Sequence, residues 1–278
     1  MELNHFIDEA LAEDIGSGDH TTLSTIPPGH VNIAELHVKE NGILSGLKLA
    51  EAIIKRIDPG IVWQGYFHDG DTVVTGSIAF SISGSTHSIL KAERLLLNCM
   101  QRLSGIATTT RRYVKEIEGT KALILDTRKT TPLLRSFEKE AVLHGGGHNH
   151  RTGLYDMILI KDNHIDAAGG IVLALERAHE YRSSRKLSMK IEVETRNLTD
   201  VKTAIDSGLA DRIMFDNFSA RDVQAAVELT GGRVETEASG GITLDNIRQY
   251  AETGVDFISV GALTHSVKSM DLSLKIKK

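Results

Sequence analysis

A chain of 278 residues with 32 lysines and arginines against 37 aspartates and glutamates carries a formal charge of −5. It is long enough to bury a sizeable core, and its acidic balance argues against a nucleic-acid ligand, which would call for a basic excess or stripe. One cysteine, Cys99, excludes an internal disulfide framework; the start MELNHFIDEALAED lacks a leader pattern and no apolar run reaches membrane-spanning length, which predicts a cytoplasmic protein without membrane contact.

In chain order, residues 3–13 alternate like a short amphipathic helix, and Gly16 to Thr22 follow as a loop. Residues 31–38 (VNIAELHV) alternate at period two and predict a strand, with a turn at Asn41-Gly42. A helix over 46–57 stops at Asp58-Pro59-Gly60, and 61–67, 72–74 and 78–82 predict further strands. This half is α+β, with mixed or antiparallel pairing. A long helix begins near Ser88; Ile89, Ala92, Leu96, Cys99 and Leu103 share one stripe and Arg94 lies opposite. Gly105 is expected to interrupt it before helix resumes towards Ile117.

From Lys121 the style changes. Apolar runs recur at 122–125, 157–160, 190–195, 212–215, 233–238 and 257–260, separated by helical patterns at 133–143, 166–181, 198–207, 219–229 and 243–253. Alternating β and α units of this size predict a parallel sheet. The runs end in Asp126, Arg128 and Lys129, in Lys161, in Glu192 and Glu194, in Asp216 and Asn217, in Glu237 and Ser239, and in Gly261. Ligand groups at nearly every strand end suit a barrel mouth better than the switch point of a doubly wound sheet. Six runs fall short of eight, so the barrel is expected to be open. The last glycine turns fit a phosphate site of the kind barrels build late in the chain.

In Ile191-Glu192-Val193-Glu194-Thr195, period two puts both glutamates on one face, opposite the apolar pair that helices would cover. The plain alternative is a solvated strand end. Arg128 and Arg151 can each grip a carboxylate with two parallel hydrogen bonds, or serve in structural ion pairs with Asp126 holding one in place. Lys161 can neutralise phosphate, form a Schiff base, or be a surface lysine after a strand. The triple glycine 145–147 permits close backbone approach or positive φ. The His148-x-His150 pair suggests metal ligands, although its place after a glycine loop favours other roles.

The motifs DTRKT, GGGHNHR, IKDNH, DNF, SGG and VGALTHS, with EDIGSGDHTT near the start, resemble the quinolinate phosphoribosyltransferase family over nearly the whole chain. One departure is Leu133, where that family usually has glycine after TP. The resemblance implies an α/β sandwich over 1–112, joined by 266–278, and an incomplete parallel α/β barrel over 113–265. It implies a homodimer, or a higher assembly of dimers, with sites shared between subunits. The implied reaction joins quinolinate to phosphoribosyl pyrophosphate with Mg²⁺ and yields nicotinate mononucleotide, pyrophosphate and carbon dioxide.

By the same resemblance, Arg94, Arg128, His150, Arg151 and Lys161 match the quinolinate-binding positions, with Arg94 entering the partner's barrel. Lys129 and Lys161 match the pair that meets the phosphates. Glu194 and Asp216 match the carboxylates at the ribose hydroxyls and the metal, held directly or through water. Ser239, Gly240, Gly261 and His265 match the surroundings of the 5′-phosphate. Lys129, Lys161, Glu194 and Asp216 form the catalytic set. The competing readings are a Schiff-base aldolase or lyase using Lys161, a non-catalytic binder of a phosphorylated metabolite, and a metallohydrolase built on the two histidines.

Overall fold

The computed structural model describes residues 3–277 and divides into two compact units. The first comprises the chain up to Arg111, Pro132–Gly146, and everything from Val267 on; the second comprises Arg112–Thr131 and Gly147–Ser266. Among the described residues the strands are β1 (Val31–Val38), β2 (Gly42–Ile43), β3 (Val62–Gly65), β4 (Thr72–Val73), β5 (Ile78–Ser85), β6 (Leu123–Leu125), β7 (Ile158–Ile160), β8 (Ile191–Thr195), β9 (Arg212–Asp216), β10 (Glu235–Ser239), β11 (Phe257–Ser259) and β12 (Leu272–Ile276). No described helix is long and apolar enough to cross a membrane.

The first unit holds an antiparallel sheet in the order β12-β1-β5-β3, with β2 and β4 forming a separate small pair. The chain's last strand therefore returns to pair with its first. The alternation of VNIAELHV is realised: Ala34, Leu36 and Val38 are fully buried, while Val31 and Ile33 face outward. The helix Thr86–Glu116 buries Ile89, Ala92, Leu96 and Leu103 and exposes Arg94. It runs unbroken through Gly105. A side chain there would meet the Lys268 carbonyl, so the glycine permits a close approach of backbone rather than ending the helix. The expected loop at 16–22 also gives way to helix at His20–Thr25, because Asp19 caps it by accepting the Thr22 N–H at 3.0 Å.

The helix Arg135–His144 belongs to this unit, whereas the 113–265 boundary assigns it to the barrel. Its buried Glu138 pairs with Arg102 at 2.8 Å, and Phe137 packs against Phe6. Just before it, Leu133 adopts φ 66°, the left-handed region, with its side chain 71% exposed. A leucine pays about 1–2 kcal/mol there, and little burial compensates. Leu133→Gly should therefore raise stability by about 0.5–1 kcal/mol after the flexibility that glycine adds to the unfolded chain. A denaturant midpoint that stays level or falls would show that the strain is absent.

The second unit holds a parallel sheet in the order β6-β11-β10-β9-β8-β7. Sequence neighbours β6 and β7 thus stand at opposite edges, which leaves the barrel open at that seam. The segment after the triple glycine lies along the β6 edge: the His148 N–H donates to Ile124 at 2.8 Å and the Asp126 N–H donates to His148 at 3.1 Å. Helices follow the strands, at Asp162–Ala168, Ile171–Ser184, Leu198–Ser207, Ala220–Thr230 and Ile247–Ala251. The single helix expected over 166–181 is two helices, parted at Gly169 (φ 88°) and Gly170 (φ 135°). Ile191, Val193, Ile213, Phe215, Ala238 and Ile258 are wholly buried, and the alternate positions on the same strands turn their polar groups to the other face.

Candidate active site

At the carboxyl ends of the strands lies a cavity of about 290 Å³, lined by Thr127, Arg128, Lys129, His150, Arg151, Leu159, Lys161, Glu194, Met214, Glu237, Ser239 and Ser259. Every strand of the parallel sheet, or the turn just beyond it, contributes. Apolar strands that end abruptly in charge thus place their polar ends together, as expected of a barrel mouth. A larger cleft opens at the amino-terminal ends, but its lysines are already neutralised: Lys121 lies 2.7 Å from Asp256 and Lys190 2.6 Å from Glu235.

Arg151 is 92% buried by its 8% exposure and donates from Nη1 to the Met157 carbonyl at 3.2 Å. Burial lowers its pKa, and the nearby charge of Arg128 lowers it further. A buried guanidinium beside another positive charge is costly unless an anion offsets them. Lys161 stands half-exposed with Nζ 3.4 Å from Glu194 Oε2. Burial raises the Glu194 carboxyl above its ordinary range; Lys161 opposes that shift and Asp216 reinforces it. Asp216 ends β9 and accepts from Asn217 Nδ2 at 2.7 Å. Asn217 has φ 57°, and Gly240, at φ 93°, makes room for it: a side chain at 240 would collide with Asn217 Oδ1. At Gly261 the His265 ring and the Lys129 side chain close in together, and the Lys129 carbonyl accepts from Thr264 at 2.8 Å.

The structure therefore brings Arg128, Lys129, His150, Arg151, Lys161, Glu194 and Ser239 into one cavity. Asp216, Gly240, Gly261 and His265 do not line that cavity; they sit beside its walls through the contacts just given. Arg94 is elsewhere, exposed on a helix of the first unit. The triple glycine serves the scaffold in part: a side chain at Gly145 would strike the Ala107 carbonyl, and Gly146 takes φ 89°. Asp126 is fully buried and accepts the backbone N–H of His150 at 2.9 Å.

Three residues with no assigned role lie in or just below the cavity floor. Glu192 and Glu237 are fully buried, and their Oε2 atoms lie 3.0 and 3.4 Å from His150 Nε2. Arg212 reaches Glu237 at 3.0 Å and Glu235 at 3.1 Å and stacks over Phe257. Burial, then the charge of Glu237, pushes Glu192 up to about 7. Burial disfavours a proton on His150 and the Glu192 and Glu237 carboxylates favour one, but the Arg151 N–H bonded to Nδ1 leaves room for a ring hydrogen on Nε2 only, facing those carboxylates. Period two carries the missed signal: Arg212 is in phase with Met214 and Asp216, and Glu237 with Ser239.

The three ligand-type atoms of His150, Glu192 and Glu237 lie within 4.8 Å of one another, a spacing that would suit a metal. The imidazole is turned the wrong way for one. The Arg151 N–H donates to His150 Nδ1 at 2.7 Å, so Nε2 carries the hydrogen and has no lone pair to offer. His148 is exposed and engaged through its backbone, so the two histidines do not form the chelating pair that the metallohydrolase reading requires.

Two family models match, "Quinolinate phosphoribosyl transferase, N-terminal domain" over residues 19–104 and "Quinolinate phosphoribosyl transferase, C-terminal domain" over residues 106–275. Among curated relatives, the chloroplastic nicotinate-nucleotide pyrophosphorylase (carboxylating) of Arabidopsis thaliana is 47% identical, covering 99% of this chain and 83% of that one. The probable nicotinate-nucleotide pyrophosphorylase (carboxylating) of Bacillus subtilis is 43% identical over 99% of this chain and 92% of its own. Among solved structures, the nicotinate-nucleotide pyrophosphorylase from Francisella tularensis superposes with a TM-score of 0.94 at 42% identity, covering 99% of this chain and 96% of that one.

Proposed function

The chain belongs to the quinolinate phosphoribosyltransferase family, and from that premise we propose that the cavity at the mouth of the open barrel seats quinolinate against its arginines and phosphoribosyl pyrophosphate against its lysines and carboxylates. The enzyme makes nicotinate mononucleotide, pyrophosphate and carbon dioxide from these two substrates, a step in de novo NAD synthesis. The observation that carries the seating is the Arg128–Arg151 pair. Burial and the neighbouring charge of Arg128 both disfavour the Arg151 cation in this cavity, and a ligand with two negative charges offsets both; quinolinate has two carboxylates.

On this reading Arg128 and Arg151 hold the ring so that its nitrogen faces the ribose carbon. The C–N bond forms there as the C–O bond to pyrophosphate breaks, with Lys129 and Lys161 offsetting charge on the leaving oxygens. The new pyridinium nitrogen then stabilises the electron pair left when the adjacent carboxylate departs as carbon dioxide, and the ring carbon takes up a proton. Ser239, Gly240, Gly261 and His265 surround the 5′-phosphate.

Glu194 and Asp216 offer oxygen donors at neighbouring strand ends; burial raises the Glu194 carboxyl and the charge of Asp216 adds to that, and a cation between them would offset both. We assign Mg²⁺ there, directly or through water; when bound it supplies positive charge against the departing pyrophosphate. Arg94 we place in the barrel of a partner subunit. The Schiff-base alternative finds less support, since Lys161 is half-exposed beside a carboxylate rather than in the apolar pocket that activates such lysines.

Incubation with quinolinate, phosphoribosyl pyrophosphate and Mg²⁺ should yield nicotinate mononucleotide, whereas nicotinate should react poorly. Losing one carboxylate leaves a buried arginine without its anion, a penalty of about 1–3 kcal/mol or more. Equal turnover of nicotinate would overturn the substrate assignment.

A further inference from the structure

The buried group under the cavity floor has a direction. A backbone N–H can only donate, so the 2.7 Å contact from Arg151 N obliges His150 Nδ1 to accept. The ring hydrogen then lies on Nε2, which faces Glu192 at 3.0 Å and Glu237 at 3.4 Å. Glu237 is fixed in turn by Arg212 at 3.0 Å. On the other side, the His150 backbone N–H is held by Asp126 at 2.9 Å. Nδ1 is therefore bonded to the Arg151 main chain while Nε2 lies against the two carboxylates, and the residue that receives the result is Arg151.

We propose that Glu192, Glu237 and His150 are positioning residues that act through Arg151: the carboxylates keep the His150 hydrogen on Nε2, and the free Nδ1 holds the Arg151 backbone so that its guanidinium faces quinolinate. This explains why a pocket for a dianion has two carboxylates beneath its floor. Each lies within 3.4 Å of His150 Nε2, and Glu237 is also paired with Arg212, so their charge is turned to the protein rather than to the substrate. It also explains why His150 and Arg151 adjoin in sequence: one residue's side chain fixes the next residue's main chain.

The inference rests on the quinolinate reading, and a double-mutant cycle on quinolinate binding tests it. Arg151→Ala, His150→Ala and the double variant are titrated with quinolinate by calorimetry, with the apparent constant for phosphoribosyl pyrophosphate as a control. Arg151→Ala should weaken quinolinate about 100-fold and His150→Ala several tens of fold, while the double variant falls no more than about twofold below Arg151→Ala, because residues acting as one unit do not add. The constant for phosphoribosyl pyrophosphate should move little. His150→Asn, whose side-chain carbonyl can accept from Arg151 N, should bind at least about fivefold tighter than His150→Ala.

Losses that multiply, with no rescue by asparagine, would make His150 an independent ligand and overturn the proposal. Should His150→Ala melt below the assay temperature, the square of Glu192→Gln and Arg151→Ala asks the same question, with the same two outcomes. Wild-type protein that fails to bind quinolinate would sink the substrate reading and this inference with it; wild-type binding with multiplied losses sinks the inference alone.

Discussion

Arg151→Ala raises the Michaelis constant for quinolinate by about two orders of magnitude and leaves that for phosphoribosyl pyrophosphate within a few fold, whereas Asp216→Ala does the reverse. Arg151 is buried, lies near Arg128 and lines the cavity. Truncating one partner of a desolvated charge pair costs about 2–5 kcal/mol, much of it the penalty of leaving the ligand's carboxylate unmatched. Asp216 lies at the other wall, at the end of β9, steadied by Asn217 and close enough to Glu194 to raise its carboxyl. On the proposed seating, its loss takes a donor from the metal and the ribose hydroxyls while the guanidiniums stay in place. The Arg151 side chain donates to the Met157 carbonyl, its backbone bond to His150 survives truncation, and Asp216 is half-buried, so thermal melts should move by only a few degrees. The two variants are assayed by varying each substrate at saturating levels of the other. If both raised the constant for the same substrate and spared the other, the division of the cavity would be wrong.

That division was readable in the chain to the extent that it follows from strand periodicity. Apolar runs that stop in charge are visible in one dimension, and parallel strands bring their carboxyl ends to one face, so Arg128, Lys161, Glu194 and Ser239 meet as expected. What was hidden depends on partners far away in sequence. Gly105 looks like a helix breaker until Lys268 is seen against it. The helix Arg135–His144 looks like a barrel helix until Glu138 is found paired with Arg102. Arg212 begins a strand, so reading only the run ends passes over it; its value lies in the interior, one layer below the mouth, where it compensates Glu237. The tautomer of His150 could not be read at all, since it is set by one N–H direction.

A mixing experiment tests the placement of Arg94 in a partner's barrel. The residue is exposed on the helix Thr86–Glu116, on the side opposite the buried stripe. Solvent exposure suits a surface residue and equally a residue offered to a second copy. Arg94→Ala and Lys161→Ala should each be nearly inactive, the first by losing a quinolinate carboxylate's partner and the second by losing the lysine that meets the phosphates. When the two variants are dissociated, mixed and allowed to reassociate, about half the dimers are mixed by random pairing, and two-fold symmetry gives each mixed dimer one barrel with Lys161 and a donated Arg94 and one barrel with neither. Roughly a quarter of all sites then recover. If Arg94 serves its own barrel, every site in every dimer carries one defect and activity stays at the level of the parents. Subunit exchange is verified independently by mass-tagged chains, so the absence of recovery after exchange would return Arg94 to its own chain's surface and remove the shared site.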